Sequence, residues 1–218
     1  MYLSRVEINP RRRDTMQALA SPEVLHATVM ASFPAMQKEG NDRILWRVDE
    51  LDPSTYVLVQ SQIKPDFTHI IEQFGWPESG QRWDTVEYDN FLMGIKDGDV
   101  RKFRIRANPT RSIKQSDEKN ARGKVCQHIT AEQQLQWFIE KSRKCGFSVE
   151  GPGQDVKIMS RDNLKFRNKN NCITLAATVF EGTLRVEDAS TFVDTIKNGL
   201  GRAKAYGFGM ITVSRAIE

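Results

Sequence analysis

At 218 residues, with 39% hydrophobic and 28% charged side chains, the chain has apolar material for one large or two small domains and ordinary solvation for a water-exposed surface. No stretch approaches the roughly 20 apolar residues needed to span a bilayer, and Met1 to Arg13 lacks the order of a signal peptide, so no membrane partner is expected and the cytoplasm is the expected location. The formal charge of +4, from 32 Lys+Arg over 28 Asp+Glu, argues little by itself, and three cysteines without C-x-x-C spacing exclude a zinc ribbon or a disulfide framework and read as buried reduced thiols.

Tyr2 to Ile8 alternates apolar and polar residues, the mark of a half-buried strand, and Asn9-Pro10 stops it. Ser21-Pro22-Glu23 reads as a helix start, with Ser21 as N-cap and Pro22 in the first position, and Val24, Leu25, Thr28 and Val29 supply its face up to Phe33-Pro34. Ile44–Val48 and Tyr56–Gln60 predict a hairpin with a longer loop. Phe67 to Phe74 is weakly helical and ends at Trp76-Pro77, and Val86 to Gly94 is ambiguous. Val100 to Ala107 alternates again, a strand with a largely basic outward face, ended by Asn108-Pro109. Residues 108–123 are polar and Pro-, Ser- and Asn-bearing, which predicts a linker.

A similar order follows. Lys124 to Ile129 is strand-like. Thr130 to Cys145 is the clearest helix, with a Thr130/Gln133 capping box and Gly146 at its close. Val156–Met159 and Leu164–Arg167 predict a hairpin, and Asn171 to Val186 one long strand or two around Gly182. Asp188 to Asn198 is a helix with Gly199 as C-cap. The chain then enters Asn198 to Gly209, where Gly199, Gly201, Gly207 and Gly209 alternate with Arg202, Lys204 and Tyr206, before the strand Met210–Val213. Such a loop is either a phosphate-seating concavity or a helix cap followed by a softened strand entry. The loop alone leaves both open.

Each half thus reads roughly β-α-β-β-α-β. This predicts an α+β protein of two tandem ferredoxin-like (RRM-like) domains with antiparallel sheets, residues 1–115 and 116–218. Basic residues cluster at Arg11, Arg12 and Arg13; at Arg101, Lys102, Arg104, Arg106, Arg111 and Lys114; at Arg161, Lys165, Arg167 and Lys169; and at Arg202 and Lys204. Any single cluster is an ordinary solvated face, but four together suit a track for a polyanion.

The run Gly199-Leu200-Gly201-Arg202-Ala203-Lys204-Ala205-Tyr206-Gly207-Phe208-Gly209 resembles the glycine-rich signature of the CasE family, the CRISPR RNA-processing endoribonucleases of type I-E systems. Arg104-Ile105-Arg106-Ala107-Asn108-Pro109, Trp137-Phe138 with Gly146-Phe147, and Phe180-Glu181-Gly182-Thr183-Leu184-Arg185-Val186 resemble further family segments in the same order. The resemblance implies metal-independent cleavage of precursor CRISPR RNA at the 3′ base of each repeat hairpin, retention of the product, and other Cascade subunits as partners. It places the catalytic histidine at His26. Glu23 stands where some relatives carry tyrosine, and Ala27 where they carry arginine.

RNA brings its own nucleophile, the 2′-OH, so cleavage to a 2′,3′-cyclic phosphate needs a proton acceptor and a cation but no metal or other cofactor. Histidine titrates near neutrality and suits the proton transfer. Lys204, then Lys157 and Lys165, are candidates for the cation, and spacing selects none of them. His69 and His128 read as structural. Arg11, Arg12, Arg13, Arg104, Arg106, Lys165, Arg167, Arg202, Tyr206 and the four glycines of the loop are the candidate RNA contacts, with Phe208 in the core. The alternative is a non-catalytic RNA-binding subunit. A nucleotide-phosphate enzyme is disfavoured, because the loop lacks the G-x-x-x-x-G-K-[ST] order and leads into a strand.

Overall fold

Alternation in Tyr2–Ile8 (β1) puts Ser4, Val6 and Ile8 inside, and the strand pairs antiparallel on both edges. The structure is a computed structural model describing residues 1–33, 43–76, 83–113, 123–168 and 171–216. After β1 come two helices, Arg13–Ala20 (α1) and Pro22–Ala31 (α2), then the hairpin Leu45–Leu51 (β2) and Ser54–Ser61 (β3). Thr68–Phe74 (α3) and Trp83–Glu87 (β4) complete a sheet of order β2-β3-β1-β4, with every neighbour antiparallel. This is the ferredoxin-like arrangement. Its core includes Val6, Ile8, Leu25, Val29, Trp46, Val57, Val59, Phe67 and Phe74.

A short helix, Asp89–Met93 (α4), resolves the ambiguous stretch and leads to Val100–Ala107 (β5). The stretch expected as a linker at 108–123 opens with a strand, Thr110–Ile113 (β6), which pairs with the strand expected from Lys124, Lys124–Gln127 (β7), in a two-stranded sheet. Ala131–Arg143 (α5), Phe147–Ser148 (β8), Asp155–Asn168 (β9), Asn171–Val186 (β10), Ala189–Asn198 (α6) and Ile211–Ala216 (β11) follow. The second sheet runs β11-β5-β10-β8, with β9 also paired to β10. Phe138 of α5 stacks on Phe180 of β10 at 4.5 Å between centroids, inside a core shared with Phe103, Phe147 and Phe192.

Three expectations change. β5 hydrogen-bonds to β10 and β11, so it opens the second sheet rather than closing the first. The hairpin expected within 156–167 is one strand: Ser160-Arg161-Asp162-Asn163 is polar because it is exposed, and it pairs with β10 throughout. The thiols are not deeply buried, since Cys126 and Cys145 are half-buried and Cys172 is exposed. Lys114, Lys169 and the expected Pro34 and Pro77 boundaries lie outside the described residues.

The two sheets are joined by polar as well as apolar contacts. Arg47 of β2 is fully buried and chelates Asp49 through Nε and Nη2, each at 2.7 Å. Its Nη1 donates to the carbonyl of Arg104 in β5 at 2.7 Å. Gln60 of β3 donates to the carbonyl of Ile196 near the end of α6 at 2.8 Å.

Candidate cleavage site and nucleic-acid interface

Helix α2 turns Pro22, Leu25 and Val29 into the first core. His26 follows Leu25 by about 100° around the helix axis, which carries it to the flank of that buried stripe. There the helix meets the glycine loop. Ser21 makes no side-chain capping bond, so Pro22 is what marks the start of α2. His26 and Met30, one turn apart, line a cleft with Arg43 and Gly201 to Ala205. Two candidates taken separately from the sequence, His26 and Lys204, are therefore brought together from different parts of the fold.

The electrostatics of the pair follow from this packing. Burial holds the His26 imidazole below its ordinary pKa, which favours the neutral ring. Its Nδ1 is buried and has no hydrogen-bond partner among the described residues. Burial also lowers the Lys204 pKa, and the charges of Arg43 and then Lys141 push in the same direction against an opposing Cys145. With Arg202 on the same rim, the cleft concentrates positive charge where a phosphate can displace water.

The loop holds Lys204 in place by packing. Its two ends are tied by the Leu200 N–H to the Gly209 carbonyl at 2.9 Å, and the Gly209 N–H reaches the Arg106 carbonyl at 2.8 Å. Ala203 adopts a left-handed φ of 65°, and Lys204–Tyr206 form one 3₁₀ turn. At Gly207, φ is 81° and an added Cβ would lie 2.7 Å from the Trp46 ring. Gly199 similarly abuts Leu45, at 2.9 Å from an added Cβ. The N–H groups of Gly199, Gly207 and Gly209 bond within the protein, so of the four candidate glycines only Gly201 lines the cleft.

Other candidates stand elsewhere. Arg12 donates to the carbonyls of Glu72 and Gly75 at 3.0 and 3.2 Å, closing the end of α3, while Arg11 and Arg13 are exposed. None of the three lines the cleft. The basic outward face expected of β5 is largely engaged within the protein. Arg101 is buried against Asp99 at 2.6 Å, and Arg104 pairs with Glu181 and, at 3.3 Å, with Asp49. Arg106 lies over the Phe208 ring at 5.0 Å, and Phe208 is core as expected. Lys157 is exposed and pairs with Asp155 at 3.3 Å, outside the residues that line the His26 cleft. Lys165 and Arg167 are exposed on β9, where Lys165 borders a separate cavity with His128 and Arg161. Tyr206 packs edge-on against Phe166 at 4.8 Å. His69 bonds the carbonyl of Thr28 at 3.0 Å, in the structural role expected of it.

Arg43 and Lys141 belong to the electrostatics of the site and escape the sequence reading. Arg43 is a lone cation before β2, and Lys141 sits within an ordinary charged helix face. Nothing in their spacing marks either one.

The family described as CRISPR associated protein matches residues 1–215. The chain belongs to that family. It is 28% identical over 225 residues to the CRISPR-associated endoribonuclease Cse3 of Thermus thermophilus, covering 98% of this chain and 100% of that protein. It is 27% identical over 222 residues to the CRISPR system Cascade subunit CasE of Escherichia coli, covering 98% and 99%. Among solved structures, Thermus thermophilus Cse3 bound to an RNA representing a pre-cleavage complex superposes with a TM-score of 0.78 at 26% identity, covering 98% of each chain. These relatives agree with the family that the glycine-rich motif and its companion segments suggest, and with tandem ferredoxin-like domains.

Proposed function

We propose that this member of the CRISPR-associated family is a cytoplasmic, metal-independent endoribonuclease that binds a CRISPR repeat hairpin and cuts precursor RNA at the 3′ base of the stem. The observation that carries the reading is the convergence of His26 and Lys204 on one cleft lined by further cations. Relatives named as an endoribonuclease and as a Cascade subunit support it.

In this reading the 2′-oxygen of the nucleotide before the cut attacks the adjacent phosphorus. Neutral His26 accepts the 2′-OH proton. The Lys204 ammonium faces the negative charge gathered on the phosphorane and supplies a proton to the departing 5′-oxygen. The P–O5′ bond breaks, leaving a 2′,3′-cyclic phosphate on one product and a 5′-OH on the other. Arg43 and Arg202 hold the phosphate. Exposed Lys165 and Arg167 on β9 suit the phosphates of a stem, which in A-form RNA is held mostly by shape and backbone contacts. The hairpin product stays bound and is handed to other Cascade subunits.

Incubation of the purified protein with a repeat hairpin in EDTA tests this. A single cut whose upstream product carries a cyclic phosphate is expected. Hairpin binding without any cut contradicts the enzymatic reading and favours a non-catalytic RNA-binding subunit.

A further inference from the structure

The part of the glycine loop that lines the His26 cleft leaves its backbone donors unused. The N–H groups of Arg202, Ala203, Lys204 and Ala205 make no hydrogen bond among the described residues. Ala203 is left-handed, at φ 65° and ψ 26°, and Lys204 opens a 3₁₀ turn. A left-handed residue followed by a right-handed one turns successive N–H groups toward one point, which makes a concavity for an anion. Arg43 and Arg202 stand on the same cleft, and Met30 with Ile44 gives it an apolar side. Its volume of about 590 Å³ lies within the roughly 300–1,000 Å³ of small-ligand pockets.

Two reactive groups share this cleft. Burial and then the Arg43 charge hold Lys204 below the ordinary lysine range, so more of its amine is neutral than on an exposed lysine. A desolvated lysine beside other cations is a nucleophile. His26, on the same cleft, can take the proton that such an amine sheds when it attacks. An anion seat, a nucleophilic amine and a base together suit attack on a carbonyl that carries a phosphate.

We propose that Lys204 is a covalent modification site: the cleft seats the phosphate of a small acyl phosphate, Lys204 takes the acyl group, and cutting stops. The labelling step goes beyond the cleavage reading above and does not depend on it; only the loss of cutting rests on that reading. In the step, the neutral Lys204 Nζ attacks the acyl carbon and a C–N bond forms. The bond from that carbon to the phosphate oxygen breaks, and inorganic phosphate leaves. The nitrogen's proton passes to His26 and on to the departing phosphate. The product is an amide, which carries no charge. It can neither face the charge on a phosphorane nor give a proton to a 5′-oxygen. RNA held in the cleft covers Lys204, so acylation silences the free enzyme and spares one that already holds its hairpin.

The test follows acetylation of each lysine by mass spectrometry after the purified protein meets acetyl phosphate or, separately, acetic anhydride, which has no phosphate. With acetyl phosphate, Lys204 is expected to react at least about tenfold faster than the exposed Lys102 and Lys144, a modest return for a seated donor and a nearby base. Inorganic phosphate and a hairpin with a 2′-deoxy scissile position should each slow that reaction, and acetic anhydride should show a smaller preference. Cleavage of a repeat hairpin should fall in proportion to the fraction acetylated at Lys204. A folded His26→Ala, checked by its melting curve, should label Lys204 at least about tenfold more slowly. The proposal is overturned if Lys204 reacts no faster than Lys102 and Lys144, or if the anhydride shows the same preference. It is also overturned if protein acetylated at Lys204 cuts at the unmodified rate, or if folded His26→Ala labels at the full rate. If the unmodified protein cuts no hairpin, the cleavage reading fails and phosphate-dependent labelling of Lys204 still upholds the modification site. Should His26→Ala not fold, the two donors and the competition series on the unmodified protein decide.

Discussion

The Nη1 of Arg47, in the first sheet, donates to the main-chain carbonyl of Met210, just past the glycine loop, over 2.9 Å. The same guanidinium is held by Asp49 and also reaches Thr212 Oγ1 at 2.9 Å. One buried ion pair thereby fixes β2 against the start of β11 and sets where the loop carrying Lys204 sits relative to α2 and His26. Replacing Arg47 with Met leaves Asp49 buried and, among the described residues, paired only with Arg104 at 3.3 Å. Breaking a buried pair from one side costs about 3–5 kcal/mol. Urea unfolding should show a loss of that size, and a change below about 1 kcal/mol would contradict this role.

Gly207→Ala should disturb the same seam from the loop side. The added methyl meets the Trp46 ring at 2.7 Å, and the left-handed φ of 81° disfavours any side chain. The left-handed backbone alone costs roughly 1–2 kcal/mol, and the ring contact adds to it. A lowered Tm with slower cleavage is expected from thermal unfolding and single-turnover assays on the same preparation. Unchanged values in both would mean that the loop does not depend on Trp46.

Lys204→Ala should lower the single-turnover rate by about 10²–10³-fold, the usual effect of removing one donor to a developing oxyanion. Lys204→Arg keeps the charge but loses the lowered pKa that burial and Arg43 give the lysine. Its activity should therefore persist to higher pH than that of the unmodified protein. An alkaline limb that stays in place in this variant would assign that limb to another group.

The acid limb belongs to His26. As a base it must be neutral, and burial holds its folded-state pKa below the ordinary value, about 6.5. The rate should rise with pH through that depressed pKa and be level by neutrality. A rising limb centred above about 6.5 would contradict neutral His26 as the acceptor.

Much of this was legible in the sequence, for identifiable reasons. Alternation in Tyr2–Ile8 and the Thr130/Gln133 capping box are local signals, and the structure realises both. β9 was harder, because a polar exposed stretch such as Ser160 to Asn163 looks like a turn when its partner strand is not in view. α1 was missed for a related reason: it buries only Thr15 and Ala18, too little for a periodic stripe. Strand membership of β5 depends on pairing with Thr178–Arg185, which lies some seventy residues on in the chain. At the site, His26 and Lys204 each stood out by type and motif, but their meeting is a product of tertiary packing. Arg104 shows the opposite case. It is a cation in a basic strand that the fold spends on Asp49 and Glu181.

The most direct test of the central claim is single-turnover cleavage of a repeat hairpin in EDTA by His26→Ala, with hairpin affinity measured on the same variant. The account predicts unchanged affinity and a rate lowered by about 10²–10⁴-fold, the usual contribution of positioned proton transfer. Cleavage at the unmodified rate would contradict it.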